Sequence, residues 1–159
     1  MCGLVPFRGE KWWYIVFNEQ FLGQYKYNLD SKGRIVIPND YRNILGNRVV
    51  VNKGIEKCIT VYPEDEFARQ AERISQLAFT QKVNRSFKRY FLSSAFKKEL
   101  DSQGRINLEE CLIEYAGIKK ECVIVGAGNV IEIWNAEDWA VVEEERNSNL
   151  EDISEDINF

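Results

Sequence analysis

Histidine is absent from the 159 residues. That absence excludes a Ser-His-Asp triad, an imidazole general base and every zinc site that needs an imidazole ligand. Cysteine is sparse: Cys2, Cys58, Cys111 and Cys122 form no C-x2-C pair. A chain of this length needs no disulfide staples, so the four are expected to be buried small hydrophobes in a reducing cytosol. Long apolar runs are missing too, and nothing approaches the roughly 20 residues that cross a bilayer. The run Trp12 to Phe17 has six residues, shorter than a secretory h-region, and no small-residue cleavage site follows it. No membrane span, secretion, metal, cofactor or small-molecule substrate is expected.

What is present is ordinary globular material, with 45% hydrophobic and 29% charged residues. The net charge of −4 hides a strong polarity along the chain. Residues 21–58 carry +4 and residues 59–92 carry +2, whereas residues 93–139 carry −4 and residues 140–159 carry −6. An anionic partner for the first half is physically open despite the acidic total.

A repeat organises the sequence. Leu29-Asp30-Ser31-Lys32-Gly33-Arg34-Ile35-Val36-Ile37 returns 71 positions later as Leu100-Asp101-Ser102-Gln103-Gly104-Arg105-Ile106-Asn107-Leu108, identical at six of nine positions. Tyr41 to Gly46 then corresponds to Leu112 to Gly117, Val49–Val51 to Val123–Val125, and Ile59–Tyr62 to Ile131–Trp134. Each copy reads as an alternating strand, an Asp-Ser-x-Gly turn, a returning strand, a short helix and two further strands. Asn39 or Asp40 is expected to cap the first short helix, and Gly46 to end it. Residues 64–77 and 80–92 read as helices between the copies, and the segment after Trp139 starts helical and then frays as an acidic tail. One copy of about 45 residues buries too little surface to stand alone, so the two are expected to share a core.

Candidate chemistry is thin. Gly126-Ala127-Gly128 lacks the third glycine of a nucleotide-binding loop and precedes a strand, so it reads as a hairpin turn. Asp30 and Asp101 could form an acid/base pair in a hydrolase, but each has an arginine four positions on, which favours an aspartate that caps its turn and orients its own arginine. Trp134, Trp139, Tyr62 and Phe87 fall on apolar periods and read as core rather than base-stacking platforms. Lys32 and Arg34 differ from their surroundings. The second copy keeps the scaffold but replaces Lys32 by Gln103, Arg42 by Ile113 and Pro38 by Glu109, as expected if only the first binds an anion.

The duplicated Leu-Asp-Ser-x-Gly-Arg-Ile, the stretch Arg85-Ser86-Phe87-x-Arg89-Tyr90-Phe91, Glu114-Tyr115-Ala116-Gly117 and Gly128-Asn129-x-Ile131-Glu132-Ile133-Trp134 together resemble the MraZ family, bacterial regulators of the division and cell-wall gene cluster. The likeness spans residues 21–145. It implies an α+β fold of two tandem swapped-hairpin (SpoVT-AbrB-like) β units forming a shared pseudo-two-fold barrel with flanking helices. The expected segments are an N-terminal extension (1–20), repeat 1 (24–66), a helical connector (67–94), repeat 2 (95–138) and a helix with an acidic tail (139–159). The implied function is sequence-specific, cofactor-free regulation of transcription on double-stranded DNA, at short direct repeats in its own promoter region. The implied form is a ring-like homo-oligomer, cytoplasmic and nucleoid-associated. The family's DNA-contacting arginine falls on Arg34, with Lys32 beside it. Lys26, Arg42 and Arg48 are expected as auxiliary phosphate contacts. Asp30, Gly33, Asp101, Gly104 and Arg105 are expected to be structural turn residues. The alternative is a non-catalytic oligomeric protein-interaction module.

Overall fold

The structure is a computed structural model that describes residues 20–157. The Trp12 to Phe17 run, and all of the expected extension except Gln20, lie outside the described residues. The first repeat contains β1 (Gln24–Asn28), β2 (Arg34–Val36), α1 (Asn39–Leu45), β3 (Arg48–Lys53) and β4 (Ile59–Pro63), followed by α2 (Glu64–Ser75) and α3 (Lys82–Ser93). The second contains β5 (Phe96–Glu99), β6 (Arg105–Asn107), α4 (Glu110–Ala116), β7 (Glu121–Gly126) and β8 (Ile131–Asn135), followed by α5 (Ala136–Ser148) and α6 (Leu150–Asp156).

Local signals account for most boundaries. β1 alternates exposed and half-buried positions, the period-two pattern of a strand with one wet face. Gly46 and Gly117 end α1 and α4 with φ of 73° and 64°, a region costly for any residue with a Cβ. The capping of α1 differs from expectation. The helix starts at Asn39, so Pro38 holds the N-cap position without a side-chain oxygen, and Asn39 and Asp40 fall inside the first turn, where the Asp40 carboxylate accepts the Tyr25 hydroxyl at 2.9 Å. The acidic tail also differs, forming the helix α6. Gly126-Ala127-Gly128 does form the turn between β7 and β8, and Gly126 lies so close to the Phe21 backbone that a Cβ there would stand 2.5 Å from its carbonyl carbon.

Pairing crosses between the repeats. β1 pairs with β7, β5 with β3, β4 with β8 and β2 with β6, all antiparallel. The result is a six-stranded sheet in the order β1-β7-β8-β4-β3-β5 and a separate two-stranded ribbon of β2 and β6. The expected closed barrel is not formed. β1 and β5 sit at opposite edges of the large sheet, and the strands that follow them, β2 and β6, pair only with each other.

One face of the sheet (Val49, Val51, Ile59, Val61, Ile124, Ile131, Ile133) packs on Ile35, Ile37, Ile106 and Leu112 from the ribbon and the short helices. Each such side chain contributes about 1.5–3 kcal/mol by leaving water. The opposite face carries Trp134, Trp139, Val123 and Cys58 on one side, and Tyr62 against Phe67 and Phe91 on the other. Two burial expectations are corrected: Cys111 is exposed on α4, and Phe87 stays 36% exposed on α3. Among the described residues no helix is long and apolar enough to cross a membrane, and no group of three potential ligands could hold a metal ion.

Candidate nucleic-acid interface

The two Asp-Ser-x-Gly turns fold alike. Asp30 Oδ1 accepts the backbone N–H groups of Lys32 and Arg34 at 2.9 Å each, and its Oδ2 accepts Nε–H of Arg34 at 2.7 Å. Asp101 receives the same three bonds from Gln103, Arg105 and the Arg105 side chain, at 2.9, 2.9 and 2.7 Å. Gly33 and Gly104 close the turns with φ of 76° and 73°. The backbone N–H of the following arginine, with its guanidinium and the N–H of residue 32 or 103 adding to it, holds each carboxyl below its ordinary range against an opposing desolvation. A carboxylate committed to three donors on its own turn is a weak base, and the paired-aspartate hydrolase has no support in this geometry.

The ribbon then brings the two arginines together. Arg34 pairs with Asn107, Ile35 with Ile106 and Val36 with Arg105. Ile35 and Ile106 are fully buried, so Arg34, Val36, Arg105 and Asn107 share the outward face. Arg34 and Arg105 are diagonal neighbours across the ribbon, a spacing of roughly 7–8 Å. Their side chains are 29% and 24% accessible, each tethered through Nε while the terminal amino groups make no hydrogen bond among the described residues. Lys32 and Gln103 stand exposed at the two turn tips.

Each turn is held by the other repeat. The Leu108 N–H donates to the Gly33 carbonyl at 2.8 Å, and the Ile37 N–H to the Gly104 carbonyl at 2.9 Å. Above Gly33 lies the Ile113 Cδ1, 3.3 Å from where a Cβ would stand. Above Gly104 lies the Arg42 guanidinium, 2.1 Å from the equivalent point, with its Nε donating to the Ile37 carbonyl at 2.7 Å. Arg42, near the first turn in sequence and expected as an auxiliary phosphate contact, lays its charge over the second.

Lys26 and Arg48 go elsewhere. Lys26 pairs with Val123, which belongs to the tryptophan cluster on the far face of the sheet. Arg48 lies 3.8 Å from Glu64 and 4.0 Å from Glu99, two carboxylates that already offset its charge. The structure thus assembles Lys32, Arg34, Arg105 and Arg42 and separates Lys26 and Arg48 from them. Arg105 is the residue that sequence reasoning set aside. Its equivalence to Arg34 in the repeat was the available signal.

A family model described as "MraZ protein, putative antitoxin-like" matches twice, over residues 20–90 and 91–158. The chain is similar to proteins named "Transcriptional regulator MraZ" from Lactobacillus gasseri (46% identical), Lactobacillus johnsonii (45%) and Natranaerobius thermophilus (42%). Each alignment runs over 137 residues, 86% of this chain and 96% of the relative.

Proposed function

The chain belongs to the MraZ family, a family of transcriptional regulators and not of enzymes, and from that premise we propose that it is a sequence-specific regulator that presents the β2–β6 ribbon to double-stranded DNA. A two-stranded ribbon fits the major groove, which is about 12 Å wide. The observation that carries this reading is the outward face shared by Arg34 and Arg105, each held by its own aspartate while its terminal amino groups make no hydrogen bond among the described residues. A guanidinium held through Nε keeps a fork for guanine O6 and N7, and the tether lowers the entropy lost on binding. Lys32 supplies a phosphate contact at one turn and Arg42 at the other. Lys26 and Arg48 are left out of this interface.

We read the exchange of β1–β2 and β5–β6 between the repeats as the swapped-hairpin arrangement that the family resemblance implies. One ribbon covers few base pairs, so a ring-like homo-oligomer meeting short direct repeats would gain affinity through effective concentration. The targets inferred are the chain's own promoter region and the division and cell-wall gene cluster, which places the protein in the cytoplasm on the nucleoid. Footprinting of the purified chain on DNA upstream of its own gene tests this. Protection of short, regularly spaced repeats is expected, with the protection lost in an Arg34→Ala/Arg105→Ala variant. No protected repeat, or protection indifferent to both substitutions, would refute it.

A further inference from the structure

Helix α3 carries Lys82, Arg85, Lys88 and Arg89, and among the described residues none of them forms an ion pair. Val83 is 72% exposed, Phe87 one turn on along the same stripe is also exposed, and the exposed Phe79 lies in the turn just before the helix. Helix α6 is the opposite in charge. Glu151, Asp152, Glu155 and Asp156 likewise form no ion pair among the described residues. Leu150, Ile153 and Ile157 recur at one-face spacing, and Ile157 is 63% exposed.

The two helices take equivalent places in the repeats, each the second helix after its repeat's last strand. α3 is fixed there by Phe91 against Tyr62 and Phe67, while α6 follows α5, whose Trp139 packs on Trp134. We propose that α6 of one copy seats on α3 of a second copy, with Leu150, Ile153 and Ile157 covering Val83, Phe87 and Phe79. The tail carboxylates then meet Lys82 and Arg89. Charge complementarity selects this occupant: an anionic nucleic acid would satisfy the cations but leave Val83 and Phe79 in water. The contact rests on the self-association proposed above and supplies its interface. It is heterologous, because each copy offers one donor and one acceptor helix, so it propagates from copy to copy, the geometry a ring needs when the rotation between copies closes. The β2–β6 ribbon, on the other face of the sheet, stays open.

Light scattering on the full chain tests this with two substitutions, Val83→Glu on α3 and Ile153→Glu on α6. Each alone should weaken association about tenfold or more, the equivalent of about 1.4 kcal/mol. Mixed in equal amounts, the two variants still share one intact α6 and one intact α3. They should form a species of two chains and nothing larger, which a merely destabilising substitution would not produce. Reversal of charge on both sides, Lys82→Glu/Arg89→Glu with Asp152→Lys/Asp156→Lys in one chain, should restore assembly that either pair alone weakens. Assembly unchanged by all these variants would overturn the interface. So would α3 reversals that weaken DNA binding at constant mass, which would give α3 to nucleic acid. Loss of assembly on Trp12→Glu/Trp13→Glu but not on Ile153→Glu would give the seat to residues 12–17 instead. A native chain that is monomeric at micromolar concentration would refute the self-association itself, a result distinct from the others.

Discussion

Alanine at Gly33 and at Gly104 should damage the fold unequally, although the two glycines are equivalent in the repeat. Both have nearly the same positive φ, so the backbone strain of adding a Cβ is the same, about 1 kcal/mol. At Gly33 the new carbon meets only the Ile113 Cδ1 at 3.3 Å, a terminal methyl that can yield by a few tenths of an ångström. At Gly104 it would stand 2.1 Å from the Arg42 guanidinium carbon. That group must leave, and with it goes the 2.7 Å bond to the Ile37 carbonyl. A hydrogen bond to a charged group contributes about 1.5–3 kcal/mol. The total for Gly104→Ala is then about 2.5–4 kcal/mol, toward the lower end because a half-buried guanidinium regains water. Chemical denaturation at matched protein concentration measures both variants. Repeating Gly104→Ala in an Arg42→Ala background should reduce its cost to about 1 kcal/mol, since the clash and the bond are both gone. Equal losses at the two glycines, or a Gly104 cost indifferent to Arg42, would refute the assignment of Arg42 as a clamp on the second turn.

Arg34→Ala and Arg105→Ala should each weaken operator binding by about 1–3 kcal/mol with melting temperature nearly unchanged, whereas Lys26→Ala and Arg48→Ala should change it little. A loss confined to Arg34 would return Arg105 to a purely structural role. Binding should weaken steeply with salt, log K falling by roughly 0.9 per decade for each phosphate neutralised, and a flat response would count against the ribbon. The lowered carboxyls of Asp30 and Asp101 contribute stability that is fully present above the ordinary aspartate pKa of about 3.9 and is lost as pH falls through their lower folded values. Thermal melts should therefore show the advantage of the native chain over Asp30→Asn/Asp101→Asn at pH above about 5 and its disappearance in stronger acid. An advantage independent of pH would argue against that linkage.

The repeat, the strand periods and the Asp-Ser-x-Gly turns were legible because each is a local pattern of a few residues. The placement of charge was not. Lys26 and Arg34 are neighbours in sequence, yet β1 turns Lys26 to the tryptophan side of the sheet while β2 leaves it for the ribbon. Arg42 is close in sequence to the first turn, but α1 carries it across to the other repeat's glycine. Such crossings depend on which strand pairs with which, and period-two alternation carries no information about the partner. The cap expected at Asn39 or Asp40 is not formed because the helix starts at Asn39 and leaves the N-cap position to Pro38. The barrel that the resemblance implies gave way to an open sheet because β2 and β6 satisfy each other.

Ile113 over Gly33 and Arg42 over Gly104 show what a covalent link between the two repeats permits. A pair of separate identical chains would carry the same residue at both places, either two apolar caps or two charged ones. Joined in one polypeptide, the halves can drift apart at matched positions while the pairing that binds them persists. One cap can be chosen for packing and the other for its charge beside the ribbon. The symmetry of the frame thus becomes a scaffold on which two unlike ends of a single reading surface can be tuned independently.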